Sequence, residues 1–149
     1  MTIRWLLATL HLLALGIGLG SIFARGYAAQ HLIPEKSTQG LLLADSFWGL
    51  SALIWIPTGL LRAFGGFEKG SAYYLDSTLF WVKMALVIGV LALEIWPMVR
   101  LIQWRLRQRA GTSVDTEAAK RIGVISYVQT GLIVLMVLAA TAMARGLDF

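Results

Sequence analysis

The sequence predicts an all-α integral membrane protein, folded as an antiparallel bundle of four transmembrane helices. The first observation is composition: 58% of the 149 residues are hydrophobic and 14% are charged. A soluble domain has about 45–50% apolar and about 25% charged residues. The second is that the apolar residues form four stretches, each long enough to cross about 30 Å of hydrocarbon as a helix. A soluble helical bundle would need a polar stripe on every helix, and these stretches show none.

The four segments form one membrane domain that covers residues 1–149. We place the helices at 3–24, 41–64, 78–103 and 122–144. The first begins with Arg4 and is too long for the apolar region of a signal peptide. Short connections favour antiparallel neighbours, and Asp115 or Thr116 is suited to cap the fourth helix.

Small residues on the first two helices predict close packing. Gly16 and Gly20 form a GxxxG pair, and Gly49 and Gly59 lie near one face of the second helix. Packing within the bundle is the favoured interpretation, and a seam between two copies is the alternative.

The composition also excludes several classes of site and partner. The absence of cysteine excludes disulfides, thiolate metal sites and covalent haem attachment. The net charge of +5 does not indicate nucleic acid, because the basic residues cluster beside the membrane segments. In that position they set orientation and contact anionic lipid, so the bilayer is the expected partner.

The distribution of basic residues predicts the orientation. If the segments alternate, the first and third loops carry eight basic residues, and the termini with the second loop carry four. Because cytoplasmic loops are enriched in Lys and Arg, we expect these two loops in the cytoplasm and both termini outside, in a bacterial inner membrane. The first group is Arg25, Lys36, Arg100, Arg105, Arg107, Arg109, Lys120 and Arg121; the second is Arg4, Arg62, Lys69 and Arg145.

Two ionisable residues lie inside the third segment. Lys83 and Glu94 are eleven residues apart, which is three helical turns plus about 20°, so both project from one face about 16 Å apart. Charged groups within a membrane are costly and usually functional, which makes these two the candidate catalytic residues.

Depth along the segments predicts two polar layers. Towards the termini, His11, Lys83 and Arg62 are expected to meet in one pocket, with Tyr73 or Tyr74 over it. Towards the first and third loops, the predicted layer contains Arg25, Asp45, Glu94 and Gln129, with an Arg25–Asp45 ion pair. Arg25 would end the first helix and Asp45 begin the second. Interhelical hydrogen bonding is the simpler interpretation of the residues near the helix ends.

His11 is the candidate metal ligand. A buried imidazole can bind haem iron, relay protons, or hydrogen-bond a helix carbonyl. Met84 or Met143 lies at a suitable depth for a second axial ligand, although methionine is commonly packing filler.

Several short motifs resemble a bacterial family of four-helix membrane proteins of unknown function. The resemblance covers nearly the whole chain and implies architecture without an established activity. The motifs are Gly66–Phe67–Glu68–Lys69–Gly70–Ser71–Ala72–Tyr73–Tyr74, Phe80–Trp81–Val82–Lys83, Trp96–Pro97 and Trp104–Arg105.

A more distant resemblance concerns Leu10–His11 and Lys83. Their placement is similar to that in the HemJ-type protoporphyrinogen oxidases, small membrane proteins related to the copper-resistance D-type proteins. The resemblance implies bound haem b, with His11 as an axial ligand and Lys83 near the porphyrin.

Three hypotheses of function follow. The first is a redox protein that binds haem b or another tetrapyrrole, a membrane oxidoreductase in which Lys83 and Arg62 compensate propionates. The second is a proton or ion transporter or channel, acting as a homo-oligomer, with a path along Lys83, Glu94 and Asp45. The third is a non-catalytic subunit or assembly factor of a larger membrane complex.

Overall fold

The computed structural model describes residues 2–32, 38–67, 70–108 and 115–147. These residues form helices and no strand, which confirms the predicted all-α class. Four of the helices are long and apolar enough to cross a membrane. The helices are α1 (Thr2–Gln30), α2 (Gln39–Phe64), α3 (Ser71–Asp76), α4 (Thr78–Gln108) and α5 (Thr116–Ala144).

The bundle has two ends, which we call the terminal end and the loop end. The terminal end carries both termini and the α2–α3 connection, and the loop end carries the α1–α2 and α4–α5 connections. Basic residues predicted in the connections at Lys36, Lys69 and Arg109 lie outside the described residues.

The long helices extend further at the loop end than the sequence predicts. α1 runs to Gln30 rather than 24 and α4 to Gln108 rather than 103, while α5 begins at Thr116, ahead of the apolar segment 122–144 and next to the predicted cap. Hydropathy marks only the apolar part of a helix, while backbone hydrogen bonding continues through polar residues. The predicted cap is confirmed, because the Asp115 side chain accepts hydrogen bonds from the backbone N–H groups of Glu117 and Ala118. Helix α3 was not predicted.

The helices pack in the order α2, α1, α5, α4 around the bundle. α1 packs closely against α2 and α5, and α4 against α5. Within the described residues, α2 and α4 have no comparable backbone packing. We call the line between them the α2–α4 seam. Side chains cross it near its two ends: the Phe64 and Phe80 ring centroids are 6.0 Å apart, and Arg105 Nη2 lies 2.9 Å from the Leu42 carbonyl oxygen.

An apolar layer fills the middle of the bundle. It contains residues from all four long helices and includes the two largest side chains of α2, Trp48 and Trp55. The space beside these rings is closed, with a cavity volume of ≈ 0 Å³. The layer separates the polar side chains of the terminal end from those of the loop end. Its buried members are Ala14, Ile22, Trp48, Trp55, Val90, Ile133 and Met136.

The predicted packing of three glycines within the bundle is wrong, and the alternative, a seam between two copies, stays a prediction. A Cβ atom at Gly16, Gly20 or Gly49 would meet no atom within 4 Å, and all three face outward. The buried face of α1 is instead the one that carries His11 and Gly18, where a Cβ would lie 3.2 Å from the Ser51 Cβ. The GxxxG pair therefore lies on the lipid-facing side of α1.

Candidate functional site

His11 is held in a defined orientation on the buried face of α1. Its Nδ1 lies 3.0 Å from the Trp55 carbonyl oxygen and 3.1 Å from Thr58 Oγ1. A carbonyl oxygen only accepts, so Nδ1 carries the proton and donates it. In the neutral imidazole the lone pair is then on Nε2. Nε2 has no hydrogen-bond partner among the described residues. Every fully buried polar side-chain atom of those residues does have a partner, so Nε2 is not fully buried, and the cavity that His11 lines gives access to it.

A cavity of about 310 Å³ adjoins this imidazole, and we call it the His11 pocket. The predicted meeting of three basic residues under two tyrosines is present, because all five residues line this one cavity. Most of the remaining wall is apolar. The described lining residues that carry the argument are His11, Arg62, Lys83, Tyr73, Tyr74 and Met143.

The described lining of the His11 pocket carries two basic side chains besides His11. Lys83 and Arg62 are close enough to interact electrostatically with His11 and with each other. None of the described lining residues is acidic. Lys83 makes no hydrogen bond or ion pair with any described residue, so its ammonium group has no counter-charge there.

The imidazole fits here because residue 59 is glycine. A Cβ atom at Gly59 would lie 2.9 Å from His11 Cε1, closer than real Cβ contacts. The helices α1 and α2 therefore approach at this point only without a side chain on α2.

The two candidate methionines line two different cavities, each of which His11 also lines. Met143 lines the His11 pocket and is buried, at 8% exposure. Met84 lines a smaller cavity of about 50 Å³ in the α2–α4 seam, which also contacts His11 and Lys83. Both therefore lie near the imidazole, and their role as axial ligands stays a prediction.

The second polar layer is a network centred on Arg25, which we call the Arg25 network. Nε donates to Ser126 Oγ at 3.0 Å, and Nη1 donates to Asp45 Oδ1 at 2.9 Å and Glu94 Oε1 at 2.7 Å. Nη2 donates to Glu94 Oε2 at 2.8 Å and Gln129 Oε1 at 3.0 Å. All five N–H donors of the guanidinium are thus used. The predicted Arg25–Asp45 ion pair is confirmed.

The Arg25 network is electrically balanced. Asp45 Oδ2 accepts a hydrogen bond from Arg105 Nη2 at 2.9 Å, so two arginines face two carboxylates. Gln129 Nε2 donates to Glu94 Oε2 and to the Val90 carbonyl oxygen. Each of the four long helices contributes at least one side chain.

Two predicted positions in this layer are corrected. Arg25 does not end α1, which continues to Gln30, and its side chain is fully buried rather than extended to the surface. Arg105 is not a loop residue, because α4 continues to Gln108 and brings it back to Asp45. In both cases the helix end was placed too early.

Lys83 and Glu94 belong to different layers, as the depth estimate predicts. Lys83 lies in the His11 pocket, and Glu94 lies in the Arg25 network beyond the apolar layer. Both Glu94 oxygens already accept hydrogen bonds from Arg25. Its assignment as a catalytic residue stays a prediction that this pairing does not favour.

Metal binding by His11 also stays a prediction. Within the described ranges, no three His, Asp or Glu side chains form a group that could hold a metal ion. A metal ion bound here would depend on the His11 imidazole and one methionine, a pair of axial ligands that some haem proteins use.

Several functional neighbours were missed from the sequence. Arg105 follows Glu94 by eleven residues, the same interval that joins Lys83 to Glu94, and this repeat would have placed it on the same face. Ser126 lies three residues before Gln129, again on one face. Thr58 and Gly59 gave no such signal, because their role depends on the approach of α1.

Comparison with known proteins gives a family but no activity. The family model described as "Predicted membrane protein (DUF2214)" matches residues 3–148. No curated protein and no solved structure matches the chain. The similarity to HemJ-type enzymes therefore stays a prediction.

Proposed function

We propose that this chain, a member of the DUF2214 family of membrane proteins of unknown function, binds the anionic headgroup of a membrane-soluble ligand in the His11 pocket. One observation carries the proposal: Lys83 lies in this pocket beside His11 without a counter-charge among the described residues. The buried charges of the Arg25 network, by contrast, are all paired.

Lys83 carries a positive charge that no described acidic residue compensates, and such a charge is costly in a membrane. A Lys at the centre of a membrane helix costs about 2.5–3.5 kcal/mol on insertion scales, and the cost is smaller for Lys83, which lies nearer the first turn of α4. Structural hydrogen bonding would need only a neutral side chain, as Gln129 provides in the other layer. An anion bound beside Lys83 would offset the cost of placing this charge in the membrane, and binding such an anion would explain why a lysine is present.

The pocket wall indicates the rest of the ligand. The Lys83 ammonium is the group that would pair with an anion, while most of the wall is apolar and aromatic. A volume of about 310 Å³ is at the lower end of the range, about 300–1,000 Å³, of pockets that hold drug-sized ligands. A carboxylate or phosphate on an apolar body fits both properties.

The test is binding of oleate against oleyl alcohol, which has the same chain without the charge. We expect the purified protein in nanodiscs to bind oleate preferentially, measured by native mass spectrometry. Lys83→Gln should weaken oleate binding about tenfold to a hundredfold, because hydrogen bonds to charged groups contribute about 1.5–3 kcal/mol.

The control is Lys120→Gln, the same substitution at an exposed position of α5. It should leave oleate binding unchanged. Equal binding of oleate and oleyl alcohol by the unsubstituted protein would remove the proposal, as would an unaltered affinity in Lys83→Gln.

Haem b is the second candidate, favoured by one observation. The Nδ1–H of His11 is held by a backbone carbonyl and Nε2 is accessible, which is the usual arrangement of a metal-bound histidine. His11 and Met143 would hold the iron, which would supply electron transfer. His11 and Met143 are suitable ligands for the iron, but the cavity is small for the ring. Its volume of about 310 Å³ is at the lower end of the range for ligand pockets, and a porphyrin is a large ligand.

The absorption spectrum separates the two candidates. A haem protein purified in mild detergent would show a Soret band that disappears in His11→Ala. A colourless protein that binds oleate through Lys83 would exclude haem as the occupant and retain the first proposal.

The remaining hypotheses receive less support. Transport through one chain needs a polar path from Lys83 to Glu94, and the apolar layer around Trp48 and Trp55 lies between them. Assembly as a homo-oligomer or as a subunit of a larger complex stays a prediction.

We also propose that both termini face outward from a bacterial inner membrane. Arg25 and Arg105 are paired with carboxylates of the bundle and Arg62 lines the His11 pocket, so these three are not counted, which leaves six basic residues at the loop end and three at the terminal end. The excess still supports a cytoplasmic loop end.

A further inference from the structure

We infer that the ligand of the His11 pocket is a single-chain amphiphile whose apolar chain lies in the α2–α4 seam, so that the pocket is filled sideways from the bilayer. This inference rests on the proposed function, since the pocket must first bind an anionic headgroup. It adds the route of entry and the class of ligand.

The backbone packing leaves one side of the bundle open. Three of the four neighbouring helix pairs pack closely, and α2 with α4 is the pair that does not. In a membrane the solvent at such a gap is lipid hydrocarbon, so an apolar chain can occupy it without desolvating polar groups.

A cavity connects this gap to the charged residues. The seam holds the cavity of about 50 Å³, which shares His11, Lys83 and Gly59 with the larger His11 pocket. Apart from His11 and Lys83, its lining is apolar or glycine. A chain in the seam would therefore place its headgroup beside Lys83.

Contacts near the two ends of the seam limit the opening to one depth. Phe64 and Phe80 meet edge to face towards the terminal end, with centroids 6.0 Å apart. At the loop end, Arg105 donates to the Leu42 carbonyl and to Ser46 Oγ of α2. The opening therefore lies between them, where the seam is lined by apolar side chains.

The dimensions favour one chain over two. The seam cavity is narrow, and its walls are Ile56, Leu60, Met84 and Val87, which are flexible or small enough to move aside for one chain. Leu60 is 46% exposed and marks the lipid-facing mouth. A fatty carboxylate or a single-chain phosphate satisfies these limits, and the two share the same chemistry at Lys83.

The test uses the absence of cysteine, which permits a single fluorescent label. A bimane label is placed at Leu60→Cys in the seam, or at Val134→Cys, a 44% exposed position on α5 that lines neither cavity. The quenching probes are doxyl-labelled stearate and doxyl-labelled stearoyl phosphate in nanodiscs. Both labels report the general concentration of probe in the bilayer, and only the first reports occupation of the seam.

We expect stronger quenching at Leu60→Cys than at Val134→Cys, and we expect Lys83→Gln to abolish the difference. Whichever probe shows the larger Lys83-dependent difference identifies the headgroup, and either result supports the inference. Equal quenching at the two positions, with Lys83-dependent binding retained, would overturn the seam as the route and leave the proposed function intact. Loss of Lys83-dependent binding altogether would overturn the proposed function first.

A second variant tests the seam without a label. Val87→Trp fills it, and Val134→Trp is the matched control on the lipid-facing surface. Val87→Trp should weaken oleate binding about tenfold, because the indole would occupy space in the seam that about two methylene groups of the oleate chain would otherwise fill. An unchanged affinity in a folded Val87→Trp protein would contradict the inference.

Discussion

Arg25 and Lys83 are two buried or half-buried cations in one bundle, and their surroundings are opposite. Every donor of Arg25 has an acceptor, and its charge is matched by Glu94 and Asp45. Lys83 has no such partner among the residues described. A satisfied network of this kind fixes helix positions, whereas an unsatisfied cation beside a cavity is suited to a ligand.

Arg25→Met should lower the free energy of unfolding by about 3–5 kcal/mol, because it leaves the Glu94 carboxylate without its counter-charge, while Asp45 keeps its pair with Arg105. The measurement is reversible unfolding in mixed detergent micelles. Arg107→Met, an exposed arginine near the end of α4, is the control and should change stability little.

The double variant Arg25→Met/Glu94→Gln separates charge from packing. It removes one positive and one negative charge and leaves Asp45 paired with Arg105. Part of the lost stability should return. If the double variant is no more stable than Arg25→Met alone, the cost arises from lost packing instead.

Helical geometry was sufficient to predict which polar residues share a face, but not where each helix ends. The eleven-residue interval correctly predicted that Lys83 and Glu94 lie on one face of the helix. Arg105 lies eleven residues after Glu94, so the same interval would have predicted its inward position, but it was not applied there. Arg25 was assigned to a helix end because hydropathy falls there. The chain continues as a helix since its polar groups are satisfied by neighbouring helices, which hydropathy does not record.

The His11 imidazole of α1 packs directly against Gly59 of α2, and this contact helps to set the position of the imidazole. Gly59→Ala should displace His11 towards the His11 pocket and weaken oleate binding by about tenfold, because overpacking at so close a contact costs about 1–3 kcal/mol. Binding of oleate by native mass spectrometry is the measurement.

Gly49→Ala is the matched control on the same helix. Its Cβ would meet no atom within 4 Å, so binding should not change. Helix propensity alone favours both substitutions by up to about 1 kcal/mol. Equal behaviour of the two variants would show that the close approach at residue 59 does not position His11.

The lipid-facing side of α1 could not be predicted from small residues. In a membrane helix both the buried and the lipid-facing sides are apolar, so hydrophobic periodicity carries little information about orientation. The polar positions His11 and Arg25 determine the buried face, and Gly16 and Gly20 lie away from it. Polar spacing was therefore the more informative signal.

The whole chain provides a direct test of orientation because it lacks cysteine. Leu147→Cys marks the terminal end and Lys120→Cys the loop end, and both positions are exposed. In intact spheroplasts an impermeant maleimide should label Leu147→Cys, and Lys120→Cys only after permeabilisation. The reverse pattern would place the loop end outside.

The four-helix architecture could be predicted because apolar stretches of this length have few alternatives in a bilayer. The order of the helices and the open side between α2 and α4 could not. They depend on which side chains meet across the bundle, and the short connections are compatible with a fully closed arrangement.

The uneven distribution of polar contacts makes the bundle mechanically asymmetric. Arg105 and the Arg25 network join α2 to the other helices at the loop end, while aromatic and aliphatic contacts alone cross the described seam nearer the terminal end. Separation of α2 from α4 should therefore be easier towards the terminal end, beside Lys83, than at the loop end. Arg105 and the Arg25 network thus hold the helices together at the loop end and leave the terminal end as the half where α2 and α4 can separate.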